Sequence, residues 1–198
     1  MDALGIFSFA ASGAFAAMEK RFDTFGVLII AFITAIGGGT MRDIILGDLP
    51  VAWLSNSITT IVIFVATVCA LLFSSYLKKL DKMLFLFDAI GLGLFTLVGI
   101  ERGLAHDLNI FVCIMLGTIT GCFGGVLRDI VLNQVPLIFH REIYALASIF
   151  GGITFFLLLY LDINGNIAYL VAVSLVILIR ILAVRYDLAL PKLYKNHP

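Results

Sequence analysis

A glycine cluster followed by an Arg-Asp pair occurs twice in this chain, 86 positions apart, and both times it lies inside an apolar stretch. The first copy reads Ala35-Ile36-Gly37-Gly38-Gly39-Thr40-Met41-Arg42-Asp43-Ile44-Ile45-Leu46, with Pro50 just beyond it. The second reads Gly121-Cys122-Phe123-Gly124-Gly125-Val126-Leu127-Arg128-Asp129-Ile130-Val131-Leu132, with Pro136 at the same offset. The match extends back through Gly13/Gly99 and Gly5/Gly91 to Asp2/Asp88. Each copy therefore spans two whole helices, and any fold must place the same helix-weakening sequence and the same charges twice.

With 62% hydrophobic and 13% charged residues and a mean hydropathy of +1.12, the chain lacks the polar surface to coat a water-soluble globule of 198 residues. It belongs in a bilayer. A membrane helix needs about 20 mostly apolar residues, and seven stretches qualify: Ala3 to Met18, Phe25 to Leu46, Ser57 to Leu77, Phe85 to Gly103, Asn109 to Leu132, Ile143 to Leu161 and Ile167 to Ala183. The expected fold is an all-α membrane protein forming a single domain over residues 1–198. The small-residue spacing of Ala14-Phe15-Ala16 has the form of a leader cleavage site. Asp2 in place of a basic region, and a repeat partner at Asp88 to Gly103, favour a retained span.

Formal charge is balanced, so only its distribution is informative. Lys20, Arg21, Lys78, Lys79, Lys82, Arg141, Arg185, Lys192 and Lys195 all fall on one side of the seven-span layout, and the other side carries little besides Arg102. The positive-inside rule then puts the amino terminus outside and the carboxyl terminus in the cytoplasm of a cell inner (plasma) membrane protein that crosses many times. Cys69, Cys113 and Cys122 sit in apolar runs without a CxxC pair and read as small packing residues.

Three spans separate the start of one copy from the start of the next, and an odd number reverses the second copy. Residues 2–76 and 88–162 are thus expected to form an inverted 3+3 repeat, as in transporters with midplane sites, leaving the helix at 167–183 outside the symmetry. Consecutive glycines each cost about 1 kcal/mol relative to alanine in a helix interior, so a kink or short unwound segment is expected in the second and fifth spans. Freed backbone groups at that depth need protein or water around them. The break itself points to a permeation path.

Arg42, Asp43, Arg128 and Asp129 should face protein or water, since a charge at the centre of a membrane helix costs at least about 2.5 kcal/mol. Successive helix positions point about 100° apart, which makes Arg42 and Asp43 poor mutual partners and leaves a cross-repeat pairing, Arg42 with Asp129 or Arg128 with Asp43, as the alternative. The four charges read either as a pore or gate or as structural locks between helices. Ala31, Ala35 and Gly39, and Gly117, Gly121 and Gly125, form small-residue ridges suited to close packing. Ser8 and Ser12 share a face of the first span, and Thr34 and Thr120 precede the two breaks. Such hydroxyls either bond back to their own helix or line a pore. Asp2 and Asp88 read as helix caps, and Glu101 with Arg102, like Arg141 with Glu142, as interfacial pairs. His106, His140 and His197 show no metal spacing.

The paired GGGTMRD and GGVLRD segments, each on the second helix of a three-helix repeat with one helix left over, resemble the bacterial branch of the trimeric intracellular cation (TRIC) channel family. Members of this two-repeat grouping have also been described as glycine transporters. The resemblance covers nearly the whole chain. It implies a homotrimer whose protomers each hold a path for cations, potassium chiefly, lined by the second and fifth spans with the first and fourth. Carried over by motif, the hinge glycines are Gly37, Gly38, Gly39, Gly124 and Gly125, with Thr40 at the new helix start, and the motif charges are Arg42, Asp43, Arg128 and Asp129. Phe123 stands where the first copy has Gly37, which makes the second break tighter.

Two functional readings follow. In the first, a hydrated path conducts potassium or sodium and polar groups replace part of the ion's hydration shell. In the second, a carrier holds glycine or another small zwitterion, its carboxylate against a half-helix amino terminus or an arginine. An enzyme is disfavoured: the glycine clusters lack the Lys-Ser/Thr ending of a phosphate loop, and no nucleophile, base or metal set recurs. No cofactor, metal or nucleic acid is expected, and the bilayer is the chief partner.

Overall fold

The computed structural model describes residues 2–74, 80–140 and 143–188, and all their regular structure is helical. The helices are α1 (Asp2–Glu19), α2 (Thr24–Leu46), α3 (Ala52–Ser55), α4 (Ser57–Ser74), α5 (Leu80–Ala105), α6 (Ile110–Val131), α7 (Leu137–His140), α8 (Ile143–Tyr160) and α9 (Gly165–Arg185). Six of them, α2, α4, α5, α6, α8 and α9, are long and apolar enough to cross a membrane. The first helix differs in composition. Eleven of its eighteen residues are buried, mostly Ala, Gly and Ser with Phe9 and Phe15. Small residues let helix backbones approach closely, so protein rather than lipid surrounds α1, whose only charges are Asp2 and Glu19 at its two ends.

The repeat is visible in the caps. Asp23 caps α2 by accepting from the Gly26 amide, and Asn109, 86 positions on, caps α6 by accepting from the Val112 amide. Each side chain satisfies one of the backbone donors that a helix start leaves free. Asp88, expected to open its helix, instead lies in the third turn of α5 and is fully buried. That helix begins earlier, at Leu80, because Leu80, Met83, Leu84 and Phe87 continue the apolar face that packs on the α1 cluster.

Packing obeys the same interval. A Cβ on Gly13 of α1 would meet the Thr34 hydroxyl at 2.5 Å and the Ala31 Cα at 2.9 Å, while one on Gly99 of α5 would meet the Thr120 hydroxyl and the Gly117 Cα, both at 2.7 Å. Gly5 lies against Phe95, and Gly91 lies against Phe9. The rings of Phe9 and Phe95 stack at the centre. Helices α1 and α5 therefore pair across the middle, α2 crosses α6, and α9 packs on α5 and α8. Two thirds of the apolar window of α5 is buried, against 28% for α4, which places α5 inside and α4 at the rim. Outward-facing Phe25, Phe64, Leu72, Phe111, Leu157 and Leu170 are all more than half exposed, a surface suited to lipid rather than water.

Candidate functional site

Both glycine clusters lie within uninterrupted α-helix, since α2 is helical from Thr24 through Leu46 and α6 from Ile110 through Val131. The expected unwinding does not occur. The glycines serve closeness instead: a Cβ on Gly38 would run into the Thr120 carbonyl, and one on Gly124 would come within 2.5 Å of the Thr34 carbonyl. Gly37 faces Leu127 and the Gly124 Cα in the same crossing. Gly39 is different, for its nearest neighbour would be an Arg42 nitrogen at 3.9 Å. Gly125 meets the Tyr144 hydroxyl and Asp88 rather than α2. Removing side chains lets α2 and α6 touch backbone to backbone and leaves the helices intact.

Thr34 donates to the Ile30 carbonyl at 2.6 Å and Thr120 to the Leu116 carbonyl at 2.7 Å, each satisfying its hydroxyl within its own helix. Ser8 does the same with the Leu4 carbonyl. Together with the Phe9–Phe95 stack, Thr34 and Thr120 form a dry waist; none of these four side chains belongs to a residue more than 5% exposed. Thr40 has a buried hydroxyl without a partner among the described residues.

On either side of the waist is a charged cavity. The first, about 340 Å³, is lined by Asp2, Gly39, Thr40, Arg42, Asp43 and Arg102 among others. The second, about 700 Å³, is lined by Glu19, Lys82, Arg128, Asp129, Gln134 and Arg180 among others. Asp2 and Glu19 are the two ends of α1, so the cavities lie about 25 Å apart at 1.5 Å per residue. Arg42 and Asp43 open onto one, Arg128 and Asp129 onto the other.

In each motif the arginine binds the aspartate next to it, contrary to the expectation that adjacent positions diverge too far. Arg42 reaches Asp43 Oδ1 from Nη2 at 2.6 Å and from Nε at 2.9 Å. Arg128 reaches Asp129 Oδ1 from Nε and Nη2, both at 2.8 Å. Neither cross-repeat pair forms. The long guanidinium side chain folds back to its neighbour because that carboxylate is fixed from the other side. Asp43 Oδ2 accepts from the Ala52 amide at 2.8 Å and Asp129 Oδ2 from the Leu137 amide at 3.0 Å, capping the short helices α3 and α7. One carboxylate thus ties an arginine to the next helix.

The second motif carries more. Arg128 Nη1 donates to Asp88 Oδ1 and to the Ser12 hydroxyl, each at 2.7 Å, with Arg128 and Asp88 both essentially inaccessible. Asp88, expected as a helix cap, is instead a buried partner of Arg128. Arg180 of α9 is equally buried; its three guanidinium nitrogens have no hydrogen-bond partner among the described residues, and its Cζ lies 4.6 Å from the Tyr144 ring centre and 5.4 Å from that of Phe85. A lone arginine in a membrane helix is a recognisable signal. Glu101 and Arg102 form no ion pair with each other among the described residues; His106 contacts Asp48 at 3.0 Å. Arg141, Glu142 and His197 lie outside the described residues. No three described His, Cys, Asp or Glu side chains are placed to share a metal ion.

A family model described as "Glycine transporter" matches residues 1–75 and again 85–160, the two copies of the repeat in turn. The chain belongs to the glycine transporter family. Among relatives, this family member is 37% identical to a UPF0126 membrane protein of Vibrio cholerae over 192 residues, covering 96% of this chain and 80% of the relative. It is 34% identical to the UPF0126 inner membrane protein YadS of Escherichia coli, covering 96% and 93%. Solved structures share the fold. A TRIC cation channel studied for the structural basis of its conductance superposes with a TM-score of 0.83 at 35% identity, covering 100% of this chain and 97% of that one. The TRIC trimeric intracellular cation channel orthologue from Rhodobacter sphaeroides gives 0.89 at 30% identity, covering 94% and 96%.

Proposed function

We propose that this membrane protein is a monovalent cation channel, with potassium its main ion, in which each protomer of a homotrimer has its own path. The observation that carries this reading is the full-length likeness to TRIC cation channels at 30–35% identity. The path runs from the Arg42–Asp43 cavity past the α2–α6 crossing to the Arg128–Asp129 cavity, with α1 counted as a seventh span. The copies 2–76 and 88–162 are inverted repeats about an axis between Phe9 and Phe95, and α9 stands apart. Burial of Phe9, Phe95, Thr34 and Thr120 supports reading this waist as the closed gate. Opening moves α2 against α6 at Gly37, Gly38 and Gly124, wets Thr34, Thr120, Ser8 and Ser12, and shifts the arginines together with Asp43 and Asp129, whose charge offsets their repulsion of cations. Lys20, Arg21, Lys82 and Arg185 lie at one end, which we assign to the cytoplasm.

A carrier of glycine or another small zwitterion is the second reading, favoured by the description of the family model. Purified protein in liposomes separates the two. A channel carries potassium current under voltage without saturable amino-acid dependence, whereas a carrier shows counterflow of labelled glycine and negligible unitary current. Glycine counterflow without potassium current overturns the channel.

A further inference from the structure

The two motif arginines occupy equivalent positions but unequal surroundings. Arg128 is held by its neighbour Asp129, by Asp88 one helix back, and by the Ser12 hydroxyl. Arg42 is held by Asp43 alone among the described residues. The residue 86 positions before Asp88 is Asp2, and it stands on the wall of the same 340 Å³ cavity that Arg42 lines, exposed and without an ion-pair partner among the described residues. The framework that brings Asp88 to Arg128 exists on this side too. Gly13 of α1 packs on Ala31 and Thr34 of α2 as Gly99 of α5 packs on Gly117 and Thr120 of α6.

One substitution contributes to the difference, beside the deeper position of Asp88 in its helix. The hydroxyl that helps hold Arg128 comes from Ser12, and the residue 86 positions on from Ser12 is Val98, an apolar side chain buried in the core. Val98 has nothing to offer a guanidinium. A hydrogen bond to a charged group is among the stronger ones a protein makes, so the site that has it closes and the site that lacks it stands open.

We propose that Asp2 with Arg42, and Asp88 with Arg128, are the two latches of the permeation path, one at each end, and that this conformation has the first open and the second shut. Asp2 and Asp88 are then positioning residues: each acts through its arginine, drawing it across the path or releasing it to the wall. In a channel both latches must open together, so the Asp88 latch limits conduction. The proposal rests on the cation-channel reading, and its test has a readout that does not need current.

The test exchanges the residues that set the asymmetry, in full-length protein. Ser12→Val should raise the open probability for potassium in planar bilayers, and Val98→Ser should lower it, each on the order of tenfold, the scale of one hydrogen bond to a charged group. In a background with the native cysteines replaced, Gly39→Cys, whose Cβ has only an Arg42 nitrogen near it at 3.9 Å, reports the first cavity through its rate of reaction with a water-soluble thiol reagent. Val98→Ser should slow that labelling, and adding Asp2→Asn should restore it, because the acid is what closes on Arg42. Asp2 is exposed, so its variant is expected to fold; Asp88→Glu offers the matching conservative change on the buried side. Labelling and open probability indifferent to Val98→Ser, or a slowing that Asp2→Asn fails to reverse, overturns the latches. Labelling that changes as expected in a protein without potassium current leaves the latches standing and removes the channel.

Discussion

The ring of Phe9 lies almost flat on that of Phe95, 5.2 Å between centroids and 10° between planes. The two residues are 86 positions apart, so the contact joins the same residue of each copy. Around it, Gly5 and Gly91 make room for the opposite ring. Replacing Phe9 with alanine should destabilise by about 3–5 kcal/mol, the usual range for a buried aromatic. Phe95→Ala should cost nearly as much, and the double variant much less than the sum, because the second change enlarges a cavity already made. Thermal unfolding of the detergent-solubilised protein measures all three.

The glycines of one cluster separate by function. Gly124→Ala places a methyl 2.5 Å from the Thr34 carbonyl and should cost about 1–3 kcal/mol as overpacking, with Gly38→Ala at least as severe. Gly39→Ala has room and, in a helix interior, should be neutral or stabilising by up to about 1 kcal/mol. Melting temperatures of the three variants decide it. A Gly39→Ala variant as damaged as the other two would mean the cluster acts through backbone flexibility, not contact.

Asp129 supports two partners at once, Arg128 and the first amide of α7. Asp129→Ala leaves a buried guanidinium short of charge compensation, and truncating one member of a buried pair costs about 3–5 kcal/mol. Arg42 has fewer partners than Arg128, so Arg42→Gln should cost less than Arg128→Gln. Unfolding in denaturant, followed by tryptophan emission from Trp53, ranks them.

Arg180 makes no hydrogen bond among the described residues and touches two rings instead. Cation–π contacts are worth about 0.5–2 kcal/mol, less than the several kcal/mol of desolvation that a buried ion suffers. Arg180→Leu should therefore leave the melting temperature unchanged or raised, while Arg180→Ala, which opens a cavity, should lower it.

His106 and Asp48 sit on loops and are each more than a third exposed. His106→Ala should change stability by less than about 1 kcal/mol, and whatever it changes should fade in high salt. Parallel melts at low and high ionic strength check this.

The sequence made the repeat and its charges legible because both depend on identity at a fixed interval, which needs no knowledge of neighbours. The role of the glycines was harder to read. Gly37, Gly38 and Gly124 look the same whether a helix breaks or another helix presses on it, and only the position of Thr34 and Thr120 opposite them distinguishes the cases. The Arg42–Asp43 pairing was misread because helix geometry fixes Cβ directions, not the reach of a flexible arginine toward a carboxylate held by Ala52. Asp88 has the look of a cap only if α5 begins at Phe85; the helix begins five residues earlier, and a buried acid one helix away from its arginine has no local signature.

The plain, small-residue surface of α1 has a consequence for how the molecule is made. A segment whose value lies in letting neighbours come close gains its place only once α5, synthesised some eighty residues later, arrives to cover it. Biogenesis should then be finished from the outside inward, with the amino-terminal helix the last to be secured and a chain truncated before α5 left with that helix exposed to quality control.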